Sequence, residues 1–152
     1  MKGKLSWAIF WALVGVFVVI IGAMAIPAVR ELLMGLLFIA ISGAVFFLLG
    51  AALIFLTVKE KVGGLFKKFL LLTGASAVGI TVSAVLHNVI YGLFIEWFGA
   101  GFWDRIGVGD EPVFFIMAII VCPIGFLVGA VGSIVLAIKR FRVAKKSPSS
   151  PQ

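Results

Sequence analysis

FLLLTGASAVGITVSAVLHNVIYGLFIEW, Phe69 to Trp97, carries no charge before Glu96 and holds the only histidine of the chain, His87. About 20 mainly apolar residues are enough to cross a bilayer as a helix. The stretch exceeds that length, so it reads as a transmembrane span. At 100° per residue, Thr73, Ser76, Ser83, His87 and Tyr91 share an arc of about 80°. Ser83, His87 and Tyr91 are successive i, i+4 neighbours, with Thr81 and Asn88 on an adjacent strip. Polar groups facing lipid are costly, so this face should turn into a helix bundle or a wet cavity.

The flanking sequence repeats the pattern. Of the 152 residues, 63% are hydrophobic and 12% charged, with a mean hydropathy of +1.28. A soluble domain is usually about half apolar and a quarter charged. Apolar runs at 5–26, 32–58, 69–97 and 113–138 leave almost no chain for a soluble domain. They predict an all-α, polytopic fold: one membrane domain, a four-transmembrane-helix bundle. The second run would be about 40 Å long as a helix, more than a hydrocarbon core of roughly 30 Å, so tilt or protruding ends are expected. The N-terminus also resembles a secretory signal, with a basic start, an apolar run and Ala23-Met24-Ala25 as an A-x-A site. The run is longer than a signal's apolar region, and a second span follows at once, which favours a retained first span.

The net charge of +7 and pI near 10.0 do not point to nucleic acid, because the basic residues sit at the ends of the apolar runs. Lys2, Lys4, Lys59, Lys61, Lys67, Lys68, Lys139, Arg140, Arg142, Lys145 and Lys146 fall on one side, leaving Arg30 and Arg105 on the other. Of the six acids, only Glu60 joins the basic side. The positive-inside rule puts that side, with both termini, in the cytoplasm of a multi-pass cell-membrane protein. Its lysines and arginines should attract anionic lipid headgroups. The connection 96–112 is richer in acids and aromatics; Trp97 and Trp103 suit the headgroup level, and its glycines let it bend back onto the membrane. Asp110, Glu111 and Pro112 suit the N-terminus of the fourth helix. The tail, 139–152, is basic and then Ser/Pro-rich.

Without a hydrophobic force between helices in lipid, spans associate through small residues and polar contacts. The first run offers Ala8, Gly15 and Gly22 at seven-residue spacing. The second offers Gly35, Ser42 with Gly43, and Gly50, and the fourth offers Gly125-x-x-x-Gly129-x-x-x-Ser133. These seams can join spans within one chain or between chains.

A candidate ligand site is a polar layer of Ser83, His87, Asn88, Tyr91 and Cys122. His87 and Asn88 fall roughly 12 Å below the Trp97 end, and Cys122-Pro123 at much the same depth in the fourth run. Pro123 cannot donate to the carbonyl of Ile119, so a kink with a free acceptor is expected there. Three readings stand: a purely structural tie between helices, a pocket for a small quinone-like molecule, and haem or metal ligation by His87 with or without Cys122. No cofactor is predicted. There is no intramembrane carboxylate pair, H-E-x-x-H, C-x-x-C, phosphate-binding loop or G-x-S-x-G, which weighs against an enzyme. A single cysteine excludes an intrachain disulfide.

Thr73-Gly74-Ala75-Ser76-Ala77, Leu86-His87-Asn88, Asp110-Glu111-Pro112 and Cys122-Pro123-Ile124-Gly125-Phe126-Leu127-Val128-Gly129 resemble strings in small four-span prokaryotic membrane proteins of unassigned function. The resemblance covers the two C-terminal spans and their connection, and implies no activity. The expected role is a non-catalytic small subunit or accessory factor of a membrane complex, with ligand binding or transport around His87 and Cys122 as the alternative.

Overall fold

The computed structural model describes residues 3–27 and 36–146. Lys2, Arg30, Gly35, the start of the second run at Leu32 and the end of the tail lie outside the described residues. The described chain is helical, with no strand. It comprises α1 (Lys4–Ala25), α2 (Leu36–Lys59), α3 (Gly64–Phe98), the single turn α4 (Phe102–Arg105), α5 (Pro112–Ile116), a π-helical turn (Met117–Val121) and α6 (Cys122–Lys146). Among the described residues, four stretches are long and apolar enough to cross a membrane: Lys4–Ala23, Ala40–Lys59, Gly64–Phe98 and Pro112–Val143. The third begins before Phe69, so Lys67 and Lys68 belong to the opening turns of α3 rather than to a loop.

Helix α3 is the centre of the bundle, packed between α2 and the fourth span, while α1 leans mainly on α2. Its sequence explains this, because it carries two small-residue faces about 110° apart at 100° per residue. One face meets α2. A Cβ added at Gly50 would lie 2.9 Å from the Gly74 carbonyl oxygen and 3.0 Å from the Ala77 Cβ, and one added at Gly74 would lie 2.9 Å from the Gly50 oxygen. Two backbones therefore touch, with Thr81 Oγ1 donating to the Gly43 carbonyl at 3.2 Å further along the same antiparallel seam. The second face meets α6: Cβ atoms at Gly125, Gly129 and Gly132 would strike Ser76, Thr73 and the Phe69 ring at 2.5–2.6 Å. Ser133 continues this seam and is fully buried. Among the described residues, no atom outside the local helix backbone lies within 4 Å of a Cβ added at Gly15 or Gly22, and both residues are exposed. The described residues thus leave the first-span seam uncovered.

The helices enclose one aromatic cluster at mid-height. Phe126 of α6 stacks on Phe17 of α1 at 4.5 Å and lies 5.4 Å from Phe46 of α2. Nearer the basic end, Trp7 stacks on Phe10 at 4.8 Å and approaches Phe66, whose other neighbour is the Arg140 guanidinium at 4.8 Å. Outside this core the surface is strongly apolar, with Val19 66%, Leu48 64% and Phe55 62% exposed. Water-soluble monomers rarely carry apolar patches beyond a few hundred Å², and this surface suits hydrocarbon as its solvent.

The turn between α2 and α3 ends one helix and starts another, distant one. Val62 N–H donates to Thr57 O and Lys61 N–H to Val58 O, the Schellman pair, with Lys61 at φ 50 where glycine is usual. That conformation points the Glu60 carboxylate at the start of α1, whose preceding residue, Gly3, has no capping side chain. Glu60 accepts from Ser6 N at 2.9 Å, Leu5 N at 3.3 Å and the Ser6 hydroxyl. These are the amides an N-cap side chain would satisfy, and the negative charge also suits the helix dipole. The Ser6 hydroxyl, then its amide, hold the Glu60 carboxyl below the ordinary glutamate value, against a smaller opposing effect of burial.

A depressed carboxyl stabilises the folded state above its unfolded value and loses that contribution as pH falls through the folded one. The Glu60→Gln variant is therefore expected to melt below wild type at pH 7, with a smaller gap at a pH well below the ordinary glutamate value. Thermal unfolding in detergent at the two pH values checks this. A gap that persists in acid would mean that the carboxylate charge is irrelevant to docking of α1.

Candidate functional site

The polar groups singled out by sequence separate into two levels along α3. Cys122 is buried against Gly79, where an added Cβ would lie 2.7 Å from its Sγ. Gly79 is eight residues, about 12 Å, from His87 along the helix. His87 and Cys122 are therefore not brought together, and they form no shared ligand pair. Pro123 is accommodated by the preceding π-turn, in which Cys122 N–H reaches Met117 O. Ser83 is buried on the side of α3 that faces the fourth span. Asn88 is exposed and its amide donates to Ala84 O at 2.8 Å, a bond within its own helix. Thr73 bonds back similarly, to Phe69 O at 2.9 Å.

At the other level, His87 meets Asp110 and Glu111 at the start of the fourth span. His87 Nδ1 lies 3.2 Å from the Glu111 carbonyl oxygen and 3.4 Å from Glu111 Oε2, and Nε2 lies 3.7 Å from Asp110 Oδ2. Both atoms facing Nδ1 are acceptors, so Nδ1 must carry the proton. The neutral ring then presents the Nε2 lone pair to Asp110. Phe115 lies 5.5 Å and Tyr91 6.4 Å from the imidazole, centroid to centroid.

The local sequence positions Glu111 for a second task. Pro112 opens α5, where its missing N–H is no loss, and Glu111 is the N-cap. Its Oε1 accepts from Val113 N at 2.9 Å and its Oε2 from Phe114 N at 3.0 Å. The Glu111 side chain is only 5% exposed, and Asp110 Oδ1 accepts from Glu111 N at 2.7 Å. One buried carboxylate thus caps a helix and faces an imidazole.

The connecting segment folds back along α3 to deliver these acids. Gly99, at φ 87, ends α3 with its N–H on Ile95 O. Trp103 of α4 is buried, stacks parallel to Tyr91 at 6.0 Å and donates Nε1–H to Tyr91 O at 3.4 Å. Phe94, Phe98 and Phe102 pack around it, and Arg105 donates to Phe98 O.

The acids at 110 and 111 read in the sequence as dipole partners of the fourth helix, not as partners of His87. A signal was nonetheless present. If Gly125 and Gly129 pack against Ser76 and Thr73, counting outward in antiparallel register brings His87 to the first turn of the fourth span. Among the described residues, no group of three His, Cys, Asp or Glu side chains is arranged to hold a metal ion. Comparison with known protein families, curated proteins and solved structures found no match to this chain.

Proposed function

We propose that this four-span membrane protein is a non-catalytic small subunit or accessory factor of a membrane complex, with both termini cytoplasmic. The observation that carries the reading is that several intramembrane polar groups, His87 among them, bond within the bundle. Thr73 and Asn88 bond to their own helix, Thr81 to Gly43, and His87 to the start of the fourth span. The outer faces are left to lipid or to other helices, and the exposed small residues Ala8, Ala12, Gly15 and Gly22 of α1 permit close approach of another span. The cytoplasmic assignment rests on charge. Lys4, Lys59, Lys61, Lys67, Lys68, Lys139, Arg140 and Arg142 gather at one end of the bundle, where anionic headgroups would meet them, against Glu96, Asp104, Asp110 and Glu111 toward the other.

Native mass spectrometry on protein gently extracted from its own membrane tests the role. A heteromeric mass is expected. A homomer with added mass on every chain would instead favour a ligand-binding protein. The orientation is tested by labelling a Lys61→Cys variant in a Cys122→Ala background with a membrane-impermeant thiol reagent. Modification in intact cells would overturn it.

A further inference from the structure

We infer that His87, Asp110 and Glu111 form a proton-operated latch that fastens the connecting segment and the start of the fourth span to α3. In the neutral state a single ring nitrogen works: Nδ1–H donates to Glu111, while the Nε2 lone pair faces the Asp110 carboxylate at 3.7 Å, acceptor to acceptor. Addition of one proton from solvent at Nε2 turns that contact into a charge-assisted one and leaves the imidazolium between two carboxylates. Histidine is the side chain whose ordinary titration spans pH 5 to 8. Uptake of that proton tightens the latch, and its loss, or protonation of the carboxylates, loosens it.

Among the described residues, few other polar groups stand near the ring. From the segment and α5, the ring faces Asp110, Glu111 and the apolar Phe115. Its own helix adds Tyr91, whose ring is covered by Trp103 of α4, and the exposed Asn88. Arg105, the basic residue of the segment, is turned to Phe98 O. The π-turn has no titratable side chain, and Cys122 lies about 12 Å away along the bundle. His87 is 17% exposed and Asp110 50%, so the group is not sealed inside the bundle. Because Glu111 also caps α5, tightening is transmitted to the amides of Val113 and Phe114, which its oxygens accept.

Amide hydrogen exchange of the full chain in lipid nanodiscs, corrected for intrinsic rates, reads this directly. Protection at Val113 and Phe114 is expected to rise about fivefold or more from about pH 8 to about pH 5.5 in wild type. It should stay flat in His87→Gln, which keeps a neutral donor, and in Asp110→Asn, a conservative change at a half-exposed position. A flat wild-type profile overturns the latch, as does either variant that retains the rise.

Discussion

Leucine in place of Gly129 is expected to be the most destabilising single substitution in the bundle. A Cβ at this position would lie 2.7 Å from the Thr73 amide nitrogen and 3.0 Å from the Phe69 carbonyl oxygen. Both are backbone atoms of α3, whose other small-residue face is already in backbone contact with α2 at Gly50–Gly74, which limits its retreat. Overpacking of ordinary cores costs about 1–3 kcal/mol where side chains can shift. Here only a whole helix can move, so the loss should exceed about 3 kcal/mol, a large share of any protein's stability. The control is Gly22→Leu, at an exposed position with open space around it, where about 0.5 kcal/mol or less is expected. Reversible unfolding in mixed micelles, followed by the fluorescence of the four tryptophans, compares the two. Equal stabilities would mean that the α3–α6 seam is not what holds the fold.

Phe126→Ala should be the next most damaging change, at about 2–3 kcal/mol by the same assay. Phe126 is 1% exposed and fills the space between α1 and α2 through Phe17 and Phe46. In lipid the unfolded reference is also apolar, so the transfer part of a core truncation shrinks. What remains is the dispersion attraction and ring stacking that the cavity walls no longer receive. A wild-type-like Phe126→Ala would mean that α1 is held by its Glu60 cap and not by the aromatic cluster. Phe126→Leu, which refills much of the volume, should recover most of the stability.

These expectations follow from features of unequal visibility in the sequence. The face of α3 bearing Thr73, Ser76, Ser83 and His87 could be read from a wheel, because one helix sets the directions of its own side chains. The small residues of the second and fourth spans were visible as seams, and Gly50, Gly125 and Gly129 are tightly packed against α3. Gly15 and Gly22 display the same spacing with no described residue against them, because spacing describes a surface and not what covers it. The Glu60 cap escaped because its recipient amides lie 54 and 55 residues away in the chain.

The candidate site shows the same division. His87 could be identified as the ionisable group within an apolar run, but its partners could not. The expected layer paired it with Cys122 by equal depth, on the premise that spans three and four begin level with each other. The long helix α3 continues for about three turns past His87, while the fourth span starts beside it. That stagger moves Cys122 away and brings Asp110 and Glu111 in.

The sequence by itself determined the number of membrane-crossing stretches, their helical state and the polar face of α3. These are local properties, set by apolar run length and by the obligation of each backbone group to find a partner within its own segment. The tertiary structure alone decided the stagger of α3 against the fourth span, the covering of one small-residue seam and not another, and the carboxylates that face His87. Those depend on where backbones approach closely at Gly50, Gly74 and Gly129 and on how the connection folds back over Tyr91. Such approaches join residues far apart in the chain, and no local pattern encodes them.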